Sequence, residues 1–198
     1  MIISYKYNFI FVKTRKTAGS SIEKYLFSYL GDNDICTGSV RDNTACLNTY
    51  EKDGHIPSYK IQKKYNVEWN RFYKWAVIRN PFDCLVSFYY FHKKIIKDVT
   101  TCTFEEFIMT HNLKKFNDYN LITNKQGNIT LDSIIKYENL HQTLIENKHI
   151  PYNNELLRTF VKGGIREETG YKHLYDNKMI TKVEKEFHPI LEKFNYSF

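Results

Sequence analysis

The sequence predicts an α/β domain with a mainly parallel sheet flanked by helices, on three observations. Apolar runs of strand length occur at residues 7–12 and 72–78, the pattern of strands buried on both faces of a parallel sheet. Each run breaks into a turn and is followed by apolar residues at helical spacing. No internal repeat or low-complexity tract interrupts this alternation, which is the signature of strand–helix–strand units. In such sheets ligands bind at the C-terminal strand ends, where both turns fall. The chain of 198 residues fits one domain, residues 1–198.

The elements follow in order. After the strand at 7–12, Ile22, Tyr25, Leu26, Tyr29 and Leu30 recur at three- and four-residue spacing, and Gly31 is a natural helix stop. Residues 32–54 carry Gly, Asn, Asp and Thr with little periodicity and read as a surface excursion that ends at Gly54-His55-Ile56-Pro57. A short helix is predicted over 58–65. After the strand at 72–78, Asn80 is the cap and Pro81 the first residue of a helix through Leu85, Val86, Tyr89 and Tyr90. Thr103-Phe104-Glu105-Glu106 is a capping box that opens a helix through Phe107 and Ile108. A third strand is predicted over 133–137, with a helix from about Leu140. The tail, with Met179, Ile180, Val183, Phe187, Ile190, Leu191 and Phe194 on one face, reads as a long amphipathic helix in which Pro189 is a candidate kink.

Bulk properties exclude several classes. No segment is apolar over the roughly 18 residues that a membrane span needs, and the N-terminus lacks the pattern of a signal peptide, so the expectation is a cytoplasmic protein without a membrane anchor. Cys36, Cys46, Cys84 and Cys102 are dispersed, with no pair at metal-ligand spacing, and read as reduced thiols with no metal demanded. The net charge of +7 favours an anionic partner or serves solubility. No nucleic-acid motif and no basic stripe with interleaved aromatics accompanies it, so no nucleic-acid partner is expected. Nothing in the sequence specifies an oligomeric state.

The turn after the first strand, Lys13-Thr14-Arg15-Lys16-Thr17-Ala18-Gly19-Ser20-Ser21, combines anion-binding elements. Backbone N–H groups at a helix N-terminus bind phosphate with help from the helix dipole, and Gly19 allows close approach. Ser20 and Ser21 add hydroxyls, and Lys16 adds a mobile positive charge. The order differs from the G-x-x-x-x-G-K-[ST] loop of nucleoside triphosphatases, because no glycine precedes the Lys, which argues against a kinase. Taken alone, the segment reads equally as a basic loop at the start of a surface helix. After the second strand, Arg79 at the strand end and Ser87 two turns into the helix could reach one phosphate; Arg79 alone reads equally as a structural ion-pair partner.

Jointly, Arg15-Lys16-Thr17-Ala18-Gly19-Ser20-Ser21 and Arg79-Asn80-Pro81-Phe82-Asp83-Cys84-Leu85-Val86-Ser87 make the chain resemble the sulfotransferases that use 3′-phosphoadenosine 5′-phosphosulfate (PAPS), particularly the carbohydrate sulfotransferase branch. That family carries P-K-T-G-G-[ST]-S after one strand and R-N-P-x-D-R-x-x-S after another. The resemblance extends to the segment from Gly54 to Ile61, to Lys136-Tyr137-Glu138-Asn139-Leu140, and to a closing helix from Tyr171 to Tyr196. It implies a P-loop-like sulfotransferase fold and a sulfuryl transfer from PAPS to a hydroxyl acceptor, a glycan. Arg15, Lys16, Thr17, Ala18, Gly19, Ser20 and Ser21 would hold the 5′-phosphosulfate, with Lys16 stabilising the leaving oxygen. Arg79 and Ser87 would hold the 3′-phosphate, and the basic, glycine-hinged stretch at Lys162 and Gly163 would close over the nucleotide. Arg15, Ala18 and Cys84 depart from the family's Pro, Gly and Arg.

Sulfuryl transfer needs a base for the acceptor proton. His55 matches the family's histidine segment and titrates near neutrality when unperturbed; it reads alternatively as a cap or a packing partner of Tyr59, and Glu138 is the rival base. The acceptor pocket is expected in residues 32–54 and 93–128. His92, Lys93 and Lys94 could meet an anionic acceptor, though a solvated basic helix end accounts for them as well. A binding module on the same fold, taking a nucleotide or polyanion without catalysis, is the alternative function.

Overall fold

The computed structural model describes residues 1–37, 54–99, 101–153 and 170–198. In chain order the first elements are β1 (Ile2–Ser4), β2 (Phe9–Val12), α1 (Gly19–Phe27), β3 (Ile35–Cys36), α2 (Ser58–Lys64), α3 (Asn66–Arg71) and β4 (Tyr73–Ile78). They are followed by α4 (Pro81–Phe91), α5 (Phe104–Thr110), α6 (Tyr119–Ile122), β5 (Ser133–Lys136), α7 (Leu140–Glu146) and α8 (Asn177–Lys193). Contacts gather the chain into two compact units, Met1–Ile78 with Asn120–Val161, and Arg79–Tyr119 with Lys162–Phe198.

The first unit holds a five-stranded mixed sheet of order β3-β1-β2-β4-β5. β2, β4 and β5 are parallel, with Val12 beside Ala76 and Ile78 beside Lys136, so three C-terminal ends share one edge. Every residue of β2 is fully buried, as its unbroken apolar run predicts for a central parallel strand. Phe9, Phe11, Trp75, Val77 and Ile135 pack with Ile22, Tyr25 and Leu26 of α1 and Leu144 of α7 into one core.

The sheet is parallel only in this central part. β1 runs antiparallel to β2, and β3 antiparallel to β1. The expected surface excursion at 32–54 is therefore corrected at its start: Ile35 and Cys36 are buried strand residues. Asp34 fixes them. Its carboxylate accepts from Ser4 Oγ at 2.7 Å, Tyr5 N at 2.7 Å and Gly31 N at 3.1 Å, joining the β1–β2 turn to the turn that follows α1. Asn8 closes that turn at φ 56°, a left-handed conformation that Asn tolerates better than most residues.

The second unit is helical. Met179, Val183, Phe187 and Ile190 line one face of α8 and pack with Phe82, Leu85 and Val86 of α4 and with Phe104, Phe107 and Ile108 of α5. The predicted capping box is present: Thr103 Oγ1 accepts from Glu106 N at 3.1 Å while Glu106 accepts from Thr103 N at 2.7 Å. Pro189 lies inside α8. Among the described residues no helix is long and apolar enough to cross a membrane.

Candidate functional site

The first loop leaves the sheet at the C-terminal end of β2 and is pinned there by threonines. Thr14, 1% exposed, donates its hydroxyl to the Val77 carbonyl of the neighbouring strand. Its oxygen must therefore accept in the 2.8 Å contact with Thr17 Oγ1. The Thr17 proton is spent on Thr14, whose carbonyl also lies 3.2 Å away. Thr17 thus shapes the loop with its hydroxyl, and what it offers an anion is its backbone N–H.

Beyond these anchors the backbone turns through two left-handed residues, Lys16 at φ 60° and Ala18 at φ 62°. Such alternation folds main-chain N–H groups into a concave anion cradle. Ala18 is the residue before α1 and supplies no side-chain cap, and the first turn of α1 carries no acidic residue. The orphan N–H groups of that turn and the positive end of the helix dipole accordingly face the loop without a competing carboxylate. Gly19 has a different reason from ligand approach: a Cβ there would lie 2.8 Å from Lys13 Cγ and 3.3 Å from the Thr14 carbonyl.

Beneath the loop, Lys13 forms an ion pair with Glu23 of α1, whose second oxygen accepts from the Met1 amine at 3.2 Å. The Lys13 carbonyl lies 3.2 Å from His55 Nδ1. A carbonyl only accepts, so Nδ1 carries the proton and neutral His55 keeps a lone pair on Nε2. Burial, reinforced by the positive charges of Lys13, the Met1 amine and Arg15, lowers the imidazole to about 4 against the opposing pull of that carbonyl. At neutral pH His55 is uncharged and holds its base form. The rival base Glu138 is exposed, in the single turn that follows β5.

In the second unit the turn before α4 forms as its sequence predicts. Asn80 Oδ1 caps Phe82 N at 3.0 Å, with Pro81 at the first helical position. Its amide nitrogen donates to Tyr171 Oη at 3.1 Å and to the Ser197 carbonyl at 2.9 Å. Arg79 Nε and Nη2 each lie 2.5 Å from Asp83 Oδ2. Arg79, Asp83 and Ser87 fall at four-residue spacing, so Asp83 and Ser87 share one helix stripe below the guanidinium. The Asp83 contact was readable from that spacing. Tyr171 and Ser197 were not, since no local signal ties them to Asn80. Cys84, where the family carries Arg, is half-buried against the apolar core of this unit.

The remaining expectations sort by location. His92 pairs with Asp98 at 3.0 Å and Lys93 donates to Tyr89 Oη at 3.1 Å, at the solvated end of α4. Trp69 and Trp75 are core residues, and Tyr73 stacks on His149 with ring centroids 4.2 Å apart. Lys162 and Gly163, Cys46, and most of the expected acceptor segment at 32–54 lie outside the described residues. Among the described residues no group of three or more His, Cys, Asp or Glu side chains converges at metal-binding geometry. Residues 1–191 match the family model described as Sulfotransferase family. No curated protein and no solved structure matches the chain.

Proposed function

The chain belongs to the sulfotransferase family, and from that premise we propose that it transfers a sulfuryl group from PAPS to a hydroxyl acceptor, a carbohydrate. The observation that carries this reading is the loop from Thr14 to Ser21, a main chain turned through two left-handed residues onto a helix start with no side-chain cap. Such a start suits a phosphosulfate, and a glycine-free approach to Lys16 does not suit a triphosphate.

The N–H groups at the start of α1, with Ser20 and Ser21, hold the 5′-phosphosulfate, flanked by Arg15 and Lys16. Arg79 and Ser87 are the proposed ligands of the 3′-phosphate. Asp83 orients the guanidinium of Arg79 from one side, and a fork so held meets phosphate with less lost rotamer freedom. The N-terminus of α4 is already capped by Asn80, so side chains rather than helix N–H groups serve there. Lys162 and Gly163 retain the role the resemblance implies.

In the reaction the acceptor oxygen attacks sulfur, the bond from sulfur to the 5′-phosphate oxygen breaks, and the electron pair stays on that oxygen, next to Lys16. His55 takes the acceptor proton on Nε2. Its lowered basicity is relieved as the anionic donor arrives, because a nearby negative charge favours the imidazolium. The glycan acceptor rests on the resemblance of the two motifs to the carbohydrate branch. Incubation of the full chain with labelled PAPS and a panel of glycans, lipids and small alcohols tests the proposal. Label moving to a glycan is expected; tight binding of adenosine 3′,5′-bisphosphate with no transfer to any acceptor would instead favour a binding module.

A further inference from the structure

The buried charges under the first loop have no part in the chemistry above. The Lys13 and Glu23 side chains are 9% and 2% exposed, and an ion pair at such depth adds little net stability. Desolvation offsets most of the attraction, and apolar replacements are often neutral or better. What distinguishes this pair is where Lys13 sits. Its ammonium meets Glu23, its carbonyl receives His55 Nδ1, and its methylenes fill the space where a side chain on Gly19 would lie.

We infer that the Lys13–Glu23 pair is a positioning device for the reaction proposed above, fixing the main chain at Lys13 so that His55 and the anion-binding loop keep one mutual geometry. The inference rests on the sulfotransferase reading. Neither residue touches a reacting atom; both are positioning residues. A lysine released from Glu23 would free the loop above it to shift against the main chain that receives His55 Nδ1. It would also vacate the floor on which Gly19 packs. Holding the lysine at both ends, by Glu23 at the ammonium and by strand β2 at the main chain, removes that freedom. The charged groups that face His55 are Lys13, Arg15 and the Met1 amine, while Glu23 faces Lys13 and that amine.

Two variants of the full chain test this. Lys13→Met keeps the methylenes under Gly19 and removes the charge; Glu23→Gln keeps the side-chain shape and removes the anchor. Each is expected to lower kcat about tenfold or more, the scale of a small misplacement of catalytic groups, while the KM for PAPS stays within about threefold. The His55 imidazole is followed separately by NMR titration without donor. Its midpoint should rise above about 4 in Lys13→Met, where a facing positive charge is lost, and should not rise in Glu23→Gln. Both variants matching the wild type in kcat would overturn the inference, whatever the midpoint. So would failure of both to fold, which would make the pair a stability element. An inactive wild type would overturn the sulfotransferase reading instead, and the midpoint comparison would still be read.

Discussion

Thr14 and Ala18 set the first loop by opposite means, a hydroxyl that satisfies a neighbour and a backbone held against its preference. Thr14→Val keeps the shape but leaves the Val77 carbonyl, a buried acceptor, without this donor; a loss of about 1–3 kcal/mol follows, read by denaturant unfolding, with Thr14→Ser close to wild type. Ala18 stands at φ 62°, where a Cβ costs about 1–2 kcal/mol. Ala18→Gly should therefore stabilise the fold by about 0.5–1 kcal/mol once the added freedom of the unfolded chain is set against it; a thermal melt checks this. Burial lowers the folded His55 imidazole from its ordinary 6.5 to about 4, so between these values the unfolded chain binds more protons than the folded one. The stability it contributes is complete above about 6.5 and lost as pH falls toward about 4. His55→Gln should flatten that part of the stability profile measured by denaturant unfolding, and an unchanged slope would reassign it to other groups.

Among the elements, those with local signals were legible. β2, β4, the Asn80–Pro81 start of α4, the capping box of α5 and the one-sided α8 each declare themselves within a turn or two of chain, and each forms. β1 and β3 do not, because three and two residues are too few to show a period. They are strands because pairing completes them: β1 runs against β2 across a tight turn, and β3 adds to β1, 30 residues away, where Asp34 accepts from Ser4. The loop before α1 was legible as an anion site from composition, but its left-handed residues and the inward Thr14 hydroxyl were not, since the latter depends on a strand 63 residues away. His55 stands out by its place after Gly54 at the end of a loop and by resemblance, but its bond to the Lys13 carbonyl, 42 residues away, carries no local signal. At this scale Thr103→Ala, which removes the α5 cap, is expected to cost about 1 kcal/mol, measurable as a lowered midpoint in urea.

For the molecule as a whole, the sequence pattern identified the class of architecture, because alternating strand and helix signals leave few ways to bury both. Each of the two compact units has its own apolar core, and the two motifs fall one in each: the first loop in the sheet unit, Arg79 with Asp83 and Ser87 in the helical one. The proposed ligand of these motifs is a nucleotide phosphorylated at both the 3′ and 5′ positions. Isothermal calorimetry of the full chain with adenosine 3′,5′-bisphosphate, alongside Lys16→Ala and Arg79→Ala, tests it most directly. Binding to the wild type in preference to ATP is expected, weakened about tenfold or more by each substitution as a charge-assisted contact to phosphate is lost, with both variants folded. Equal affinity for ATP, or undiminished binding in both variants, would contradict it.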